Sequence, residues 1–383
     1  MFQPKSKSFL LKVAFTVIVS YWLWRCWILT QSRGDLEILT RSIHRLWAGE
    51  SFYRLSDHAE HTKPPGLTWL LQPLALLPSW TSKIVWDLLS WGSLIVLAKN
   101  WLGLSLFSWT GLLGWLLAAG PWWAEMRLGQ FNMFLAAVTL YLPVWESRAP
   151  SPFRSRVLGA GALFCVLLKP TQILLWPFMF SRVAREGGLR QTLIGAIILG
   201  VIVAVGYGAQ LGWSDFFVHH QQWLQFLPQS EAKHLLRPDN LGISTQQVRW
   251  LLPDGINWVP KIVLLFGLVL ACWSTHGAPS LSRRVFLNSV LISIVCSPMA
   301  WRQNFSPLML CLSWEAVMHG HKYPYWRRLA FWLSILGFEL LATDLLGVVW
   351  SEWFARVGGP LALALSAWAL MPVQTQVRPQ TSG

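Results

Sequence analysis

Long apolar runs separated by short basic connectors constrain this chain more than any other feature. Runs over residues 9–29, 80–98, 102–119, 131–145, 157–180, 191–211, 259–275, 285–296, 305–317, 329–348 and 359–370 follow one another with little between them. At 1.5 Å per residue, residues 9–29 alone reach about 30 Å, the thickness of a bilayer's hydrocarbon core. Only 13% of the 383 residues are charged and 54% are hydrophobic, whereas a soluble domain carries about 25% charged residues. The expectation is an all-α polytopic membrane protein in which residues 1–383 form one integral membrane domain.

The formal net charge of +14 raises the question of a nucleic-acid partner. Its distribution answers against one. Lys and Arg gather in the connectors between apolar runs, as the positive-inside rule requires, and no basic face stands apart from them. Membrane lipids are the expected surroundings, and the 27 Trp suit a chain with much lipid-interface surface. The five cysteines, Cys26, Cys165, Cys272, Cys296 and Cys311, lie in or at the ends of apolar runs without a CxxC pair. They read as packing residues. The run from Phe9 has no small-residue cleavage site, so it reads as a retained first helix.

Lys5 and Lys7 place the N-terminus in the cytoplasm and residues 30–66 outside. This first outer loop contains Leu36, Leu39, Ile43, Leu46 and Trp47 at helical spacing, an interfacial amphipathic helix that Gly49 ends. Residues 67–77 are apolar but short, so they form either a tilted span or a segment that dips in and returns. The basic connectors 146–156 and 181–190 both belong in the cytoplasm, and one span cannot join them. Residues 157–180 should therefore be a hairpin of two short helices that turns at Lys169-Pro170, because proline disfavours a helical residue before it. Residues 212–258 form the second long outer loop. The count is about 11–13 transmembrane helices, with interfacial helices in the first outer loop.

On this topology the outer side gathers polar residues from distant parts of the chain: Asp35 and Glu37; Lys63; Arg127, Gln130 and Asn132; Lys169; and Arg302, Gln303 and Asn304. Polar groups at membrane depth are costly, so their convergence on one side points to a shared cavity. A carboxylate near several ammonium and guanidinium groups suits deprotonation of a hydroxyl beside a bound phosphate. Each has a plain alternative. Asp35 opens the interfacial helix, where Asp is a favoured cap; Glu37 is equally a solvated first-turn acid; Lys63 can snorkel to the interface; and Arg127 and Arg249 can be interface anchors. His58, Glu60 and His61 offer a divalent-cation alternative without HExxH spacing, and His219 and His220 cannot both face one point from a helix. Walker A, GxGxxG and GxSxG signatures are absent.

Several motifs together resemble glycosyltransferase family 87, a family of the GT-C class of polytopic membrane enzymes. Gly34-Asp35-x-Glu37, Gly49-x-x-x-Tyr53, Pro64-Pro65 and the Pro73–Pro78 stretch resemble its opening. Gly129-Gln130-Phe131-Asn132 is similar to its GQ-x-N motif, and Leu168-Lys169-Pro170 to its lysine-proline hairpin. Asn240 with Arg249 matches two positions of NQSL-x-G-x-x-x-R, and Ser297-Pro298-x-x-Trp301 matches the start of SP-x-SW-x-HH. Leu241-Gly242 replace the usual Gln-Ser, and Gln303 and Asn304 stand where the family has paired histidines.

The resemblance implies inverting transfer of a hexose, typically mannose, from a polyprenyl-phosphate donor to a lipid-linked or glycan hydroxyl acceptor. It makes Asp35 the general base, with Glu37 beside it. Lys63, Arg127, Lys169, Arg249 and Arg302 become candidates for the donor phosphate; Gln130, Asn132, Asn240, Gln303 and Asn304 become candidates for substrate positioning. No cofactor or metal is implied. A bacterial inner membrane, with the active site on the periplasmic face, is the expected location. Two other functions use the same outward cavity: a transporter or flippase of lipid-linked sugars, against which stands the lack of a two-fold repeat, and a non-catalytic GT-C-like assembly factor, for which the replaced histidines speak.

Overall fold

The computed structural model describes residues 34–54, 57, 61–102, 108–235, 302–319 and 324–339, with isolated positions around 9–24 and 286–294. Every regular element among the described residues is helical. Helix α1, Asp35–Trp47, forms as the spacing predicts: Leu36, Leu39, Ile43 and Leu46 share one buried face. Trp47 departs from that face. It is exposed and its indole donates to Gln72 Oε1 at 3.1 Å. The helix ends in a left-handed Gly49 (φ 68°). The Gly49 N–H donates to Leu46 O at 3.2 Å and the Glu50 N–H to Arg45 O at 2.9 Å, a Schellman closure.

Residues 67–77 are neither a tilted span nor one helix. They break at Leu71 into α2, Pro65–Leu70, and α3, Gln72–Ala75. Helix α4, Ser79–Leu102, follows. The apolar stretch expected over 102–119 is interrupted at Ala118, which separates α5, Trp109–Leu117, from α6, Ala119–Leu128. Helix α7, Asn132–Arg148, leads through the basic connector to α8, Pro152–Leu168, which Ser151 caps by accepting from the Arg154 N–H. Lys169 is extended (φ −150°, ψ 105°) before a 3-10 turn at Pro170–Leu175 and α9, Trp176–Arg185. Leu158 and Ala162 of α8 cluster with Met179 and Val183 of α9. The chain has therefore turned back at Lys169-Pro170, as its proline foretold.

Helix α10, Leu189–Leu211, crosses α8 at very close range. A Cβ on Gly159 would lie 1.7 Å from Thr192 O, and one on Gly195 would lie 1.9 Å from Arg156 O. Glycine at both positions lets the two backbones touch, the packing mode of helices in lipid. Its outer surface carries Leu193, Ile197, Ile198, Val201, Ile202 and Val205, all exposed. Two described helices, over Ser79–Asn100 and Leu189–Leu211, are long and apolar enough to cross a membrane.

The segment 212–258, expected as an outer loop, differs from expectation. Much of it is helix α11, Trp213–Leu235, with Pro228 inside it. Its polar composition hid a helix whose buried Phe226 packs with Phe52, Tyr53 and Tyr207. A 3-10 turn at Arg302–Phe305 opens α12, Ser306–His319, and α13 spans Tyr325–Glu339. The apolar runs at 259–275 and 359–370, and most of those at 9–29 and 285–296, lie outside the described residues.

Two buried layers position the site. The larger joins α4, α5, α6, α7 and α12 around Trp91, Trp115 and Trp122, whose ring centroids lie 4.8 to 5.5 Å apart. The smaller seats α1, through Leu36, Leu39 and Ile43, on Leu67, Trp86, Phe131, Leu135 and Leu168. It brings the start of α1, the turn before α7 and the end of α8 to one place.

Candidate active site

The first helical residue of α1 is Asp35, and the capping position belongs to Gly34, which makes no side-chain cap bond. The expected capping role of Asp35 is thereby corrected. Gly34 is needed for close approach: a Cβ there would lie 2.5 Å from the carbonyl oxygen of Leu128. The start of α1 thus abuts the end of α6.

Helix α6 ends in a second Schellman turn. The left-handed Gly129 (φ 63°) donates to Met126 O at 3.3 Å and Gln130 N–H to Glu125 O at 3.0 Å. Helix α4 pins this turn, Trp86 Nε1 donating to Gly129 O at 3.0 Å and Lys83 Nζ to Met126 O at 2.7 Å. A Cβ on Gly129 would lie 3.1 Å from Leu36 Cβ, so the same turn carries α1.

From this turn runs a chain of polar contacts. Lys169 Nζ donates to Asn132 Oδ1 at 3.2 Å, and Asn132 Nδ2 donates to Gln130 Oε1 at 2.9 Å. Gln130 is hydrogen-bonded in turn to the Asp35 carboxylate, which leaves its NH2 as the donor. Each amide passes the polarisation in one direction, from an ammonium at one end to a carboxylate at the other. Asn304 joins from the 3-10 turn, its Oδ1 lying 3.5 Å from Asn132 Nδ2.

Lys63 arrives on a short strap that three contacts immobilise. Tyr53 Oη donates to Lys63 O at 2.7 Å, Trp223 Nε1 to Thr62 O at 3.1 Å, and His61 Nε2 pairs with Thr68 Oγ1 at 2.9 Å. Burial, then the charges of Lys63, Arg41 and Arg45, push the His61 pKa down to about 3. It stays neutral and serves as a pin. The Lys63 ammonium sits 5.6 Å from the Phe131 ring centroid, directly beside the Gln130–Asn132 turn.

Asp35 feels both lysines. Burial raises its pKa above the usual carboxylate range, while Lys63, Lys169 and the Gln130 hydrogen bond pull it back in part. The residue as a whole is half-buried, and its carboxyl group is the desolvated part. A base flanked by two lysine amines can take a proton from a hydroxyl and hold an oxyanion close by.

Of the residues singled out from the sequence, Asp35, Lys63, Gln130, Asn132, Lys169 and Asn304 come together. Glu37 does not: it is exposed, two residues and so about 200° around the helix from Asp35. Arg127 is half-buried on α6, turned by the same angle from Glu125. Arg302 and Gln303 begin the 3-10 turn, and their side chains lie outside the described residues. So do Asn240 and Arg249, and with them His58 and Glu60 of the cation alternative. Among the described residues, no three His, Cys, Asp or Glu side chains gather as a metal site. His219 bonds to Tyr207 Oη at 2.6 Å and His220 to Phe216 O at 2.7 Å, so the two face separate partners.

Two neighbours escaped the sequence reading, Glu125 and Ser306. Both are fully buried and bonded to each other. An acid in a tryptophan-rich stretch was the available signal, since such a group is expensive unless it has a task.

Comparison with known proteins matches residues 61–298 to the family model of glycosyltransferase family 87. The matched part contains Lys63, Arg127, Gln130, Asn132, Lys169, Asn240 and Arg249; it begins after Asp35 and ends before Asn304. No curated protein and no solved structure matches the chain. The match covers more than half of the 383 residues, and the chain belongs to glycosyltransferase family 87.

Proposed function

We propose that this glycosyltransferase moves a hexose, mannose in the first instance, from a polyprenyl-phosphate donor to a hydroxyl of a lipid-linked or glycan acceptor, with inversion. Asp35 takes the acceptor's proton. The freed oxygen forms a bond to the anomeric carbon as the bond from that carbon to the phosphate oxygen breaks. The electron pair leaves on the polyprenyl phosphate, whose charge Lys63 and Lys169 hold. A phosphate is already a stable anion, so one base suffices and no metal is called for. Arg127, Arg249 and Arg302 remain candidates for the same phosphate, and Gln303 and Asn240 for substrate contacts; Glu37, exposed and turned away from Asp35, takes no part.

The observation that carries this reading is the flanking of one carboxyl group by lysines from two distant segments, Lys63 through its charge and Lys169 also through Asn132 and Gln130. A membrane setting is supported by the two apolar helices and by the bare aliphatic outer face of α10. We place the chain in the bacterial inner membrane as one polytopic GT-C domain, its N-terminus cytoplasmic and its site periplasmic. A lipid-linked donor then reaches the recess by lateral diffusion.

The test is turnover by the purified full chain of farnesyl-phosphate mannose, with a membrane lipid extract as acceptor source. Release of farnesyl phosphate with label in a new lipid product is expected. Lipid-linked sugar that crosses vesicle membranes unchanged, with no phosphate released, would favour a flippase instead.

A further inference from the structure

Glu125 lies outside the reaction described above, yet three structural segments converge on it. Its backbone carbonyl accepts from Gln130 N–H at 3.0 Å. Its Oε1 accepts from the backbone N–H of Met133, in the first turn of α7, at 2.6 Å. Its Oε2 accepts from the hydroxyl of Ser306, the first residue of α12. Side-chain exposure is zero. A carboxyl group buried to this degree costs stability unless both oxygens are bonded; here both are, each to the first turn of a helix.

The two helix starts share a feature. Asn132 is the residue before Met133, and Asn304 lies two residues before Ser306. Their amides are the ones that meet at 3.5 Å on the floor of the site. The two segments that Glu125 joins come from parts of the chain more than 170 residues apart. Each amide carries a carbonyl acceptor and an NH2 donor, the groups that sugar hydroxyls pair with, and the 3.5 Å contact between the two is the long one that a hydroxyl can replace.

We propose that Glu125 is a positioning residue for the sugar, setting the spacing of the Asn132 and Asn304 amides by holding α7, which carries the first, against the start of α12, whose preceding 3-10 turn carries the second. This rests on the reading of the site as a polyprenyl-phosphate hexose site. Glu125 touches neither sugar nor phosphate; it acts through the two amides.

The experiment measures the affinity of the purified full chain for farnesyl-phosphate mannose. Glu125→Gln keeps an acceptor for the Met133 N–H but forces Ser306 to reverse its hydroxyl. It is expected to weaken the probe about tenfold, the scale of one buried hydrogen bond, with Glu125→Ala weaker still. In an Asn132→Ala background the same Glu125→Gln change is expected to cost only about threefold, because the path through Asn132 is gone and only that through Asn304 remains. Ser306→Ala releases only the α12 side, is expected to weaken the probe about threefold, and reads the proposal even if the Glu125 variants fold poorly. Wild-type affinity in Glu125→Gln and Ser306→Ala, or an undiminished loss in the Asn132→Ala background, would overturn the proposal alone. A wild-type chain that ignores the probe would overturn the proposed function and this proposal together.

Discussion

At the scale of single residues, the site depends on a carboxylate made uncomfortable. Burial holds Asp35 above the ordinary carboxylate range, and Lys63, Lys169 and Gln130 offset only part of that. A base must be ionised, so transfer should fall as pH drops through this raised pKa. Lys63 lowers the pKa; Lys63→Ala removes that pull and should move the acid limb of the pH–rate profile to higher pH. The limb would stay in place if the Lys63 ammonium were merely snorkelling to an interface. His61 should leave that profile untouched, since a ring whose pKa is about 3 is neutral throughout the working range.

At the scale of elements, two Schellman turns make a controlled comparison. Gly49 and Gly129 both close a helix with positive φ, 68° and 63°. Alanine at either should cost about 1–2 kcal/mol through the left-handed backbone. A Cβ on Gly49 meets nothing within 4 Å, while one on Gly129 presses on Leu36 at 3.1 Å and so on the start of α1. Both variants should melt earlier by a similar amount, but only Gly129→Ala should also lose most of its transfer rate. Equal retention of activity would show that the α1–α6 junction does not place Asp35. Local rules explain why part of this was readable from sequence: the periodicity of α1, its stop at Gly49 and the turn at Lys169-Pro170 all follow from neighbours in the chain. The break at Ala118, the helix within 213–235 and the bond from Ser306 to Glu125 do not. They arise from contacts between distant segments, such as Phe226 with Tyr53, that no window of sequence displays.

At the scale of the molecule, the apolar runs state the class of the fold and the family match supports the chemistry. The tryptophans carry a lesson about the limits of composition. Trp24, Trp47, Trp80, Trp213, Trp326 and Trp332 are exposed, as an interfacial surface requires, whereas Trp86, Trp91, Trp115, Trp122 and Trp314 are buried and build the core around the site. The orientation proposed here has a direct consequence. In a background without native cysteines, Glu50→Cys after α1 should react with an impermeant maleimide in intact spheroplasts. Ala149→Cys, in the basic connector between α7 and α8, should react only after permeabilisation. Both positions are exposed. The reverse pattern would put the site on the cytoplasmic face and remove the lipid-linked donor's periplasmic route.

We propose Asp35 as the base between two phosphate-holding lysines. The most direct measurement is the single-turnover rate of Asp35→Asn at saturating farnesyl-phosphate mannose, alongside its donor affinity and melting temperature. A positioned base contributes about 10²–10⁴-fold, so the rate should fall by that factor. Donor binding should persist. The folded state should be no less stable at neutral pH: a carboxyl with a raised folded pKa destabilises the fold once pH exceeds it, and asparagine removes that charge. A rate within about threefold of wild type, in a folded variant that still binds donor, would contradict the account.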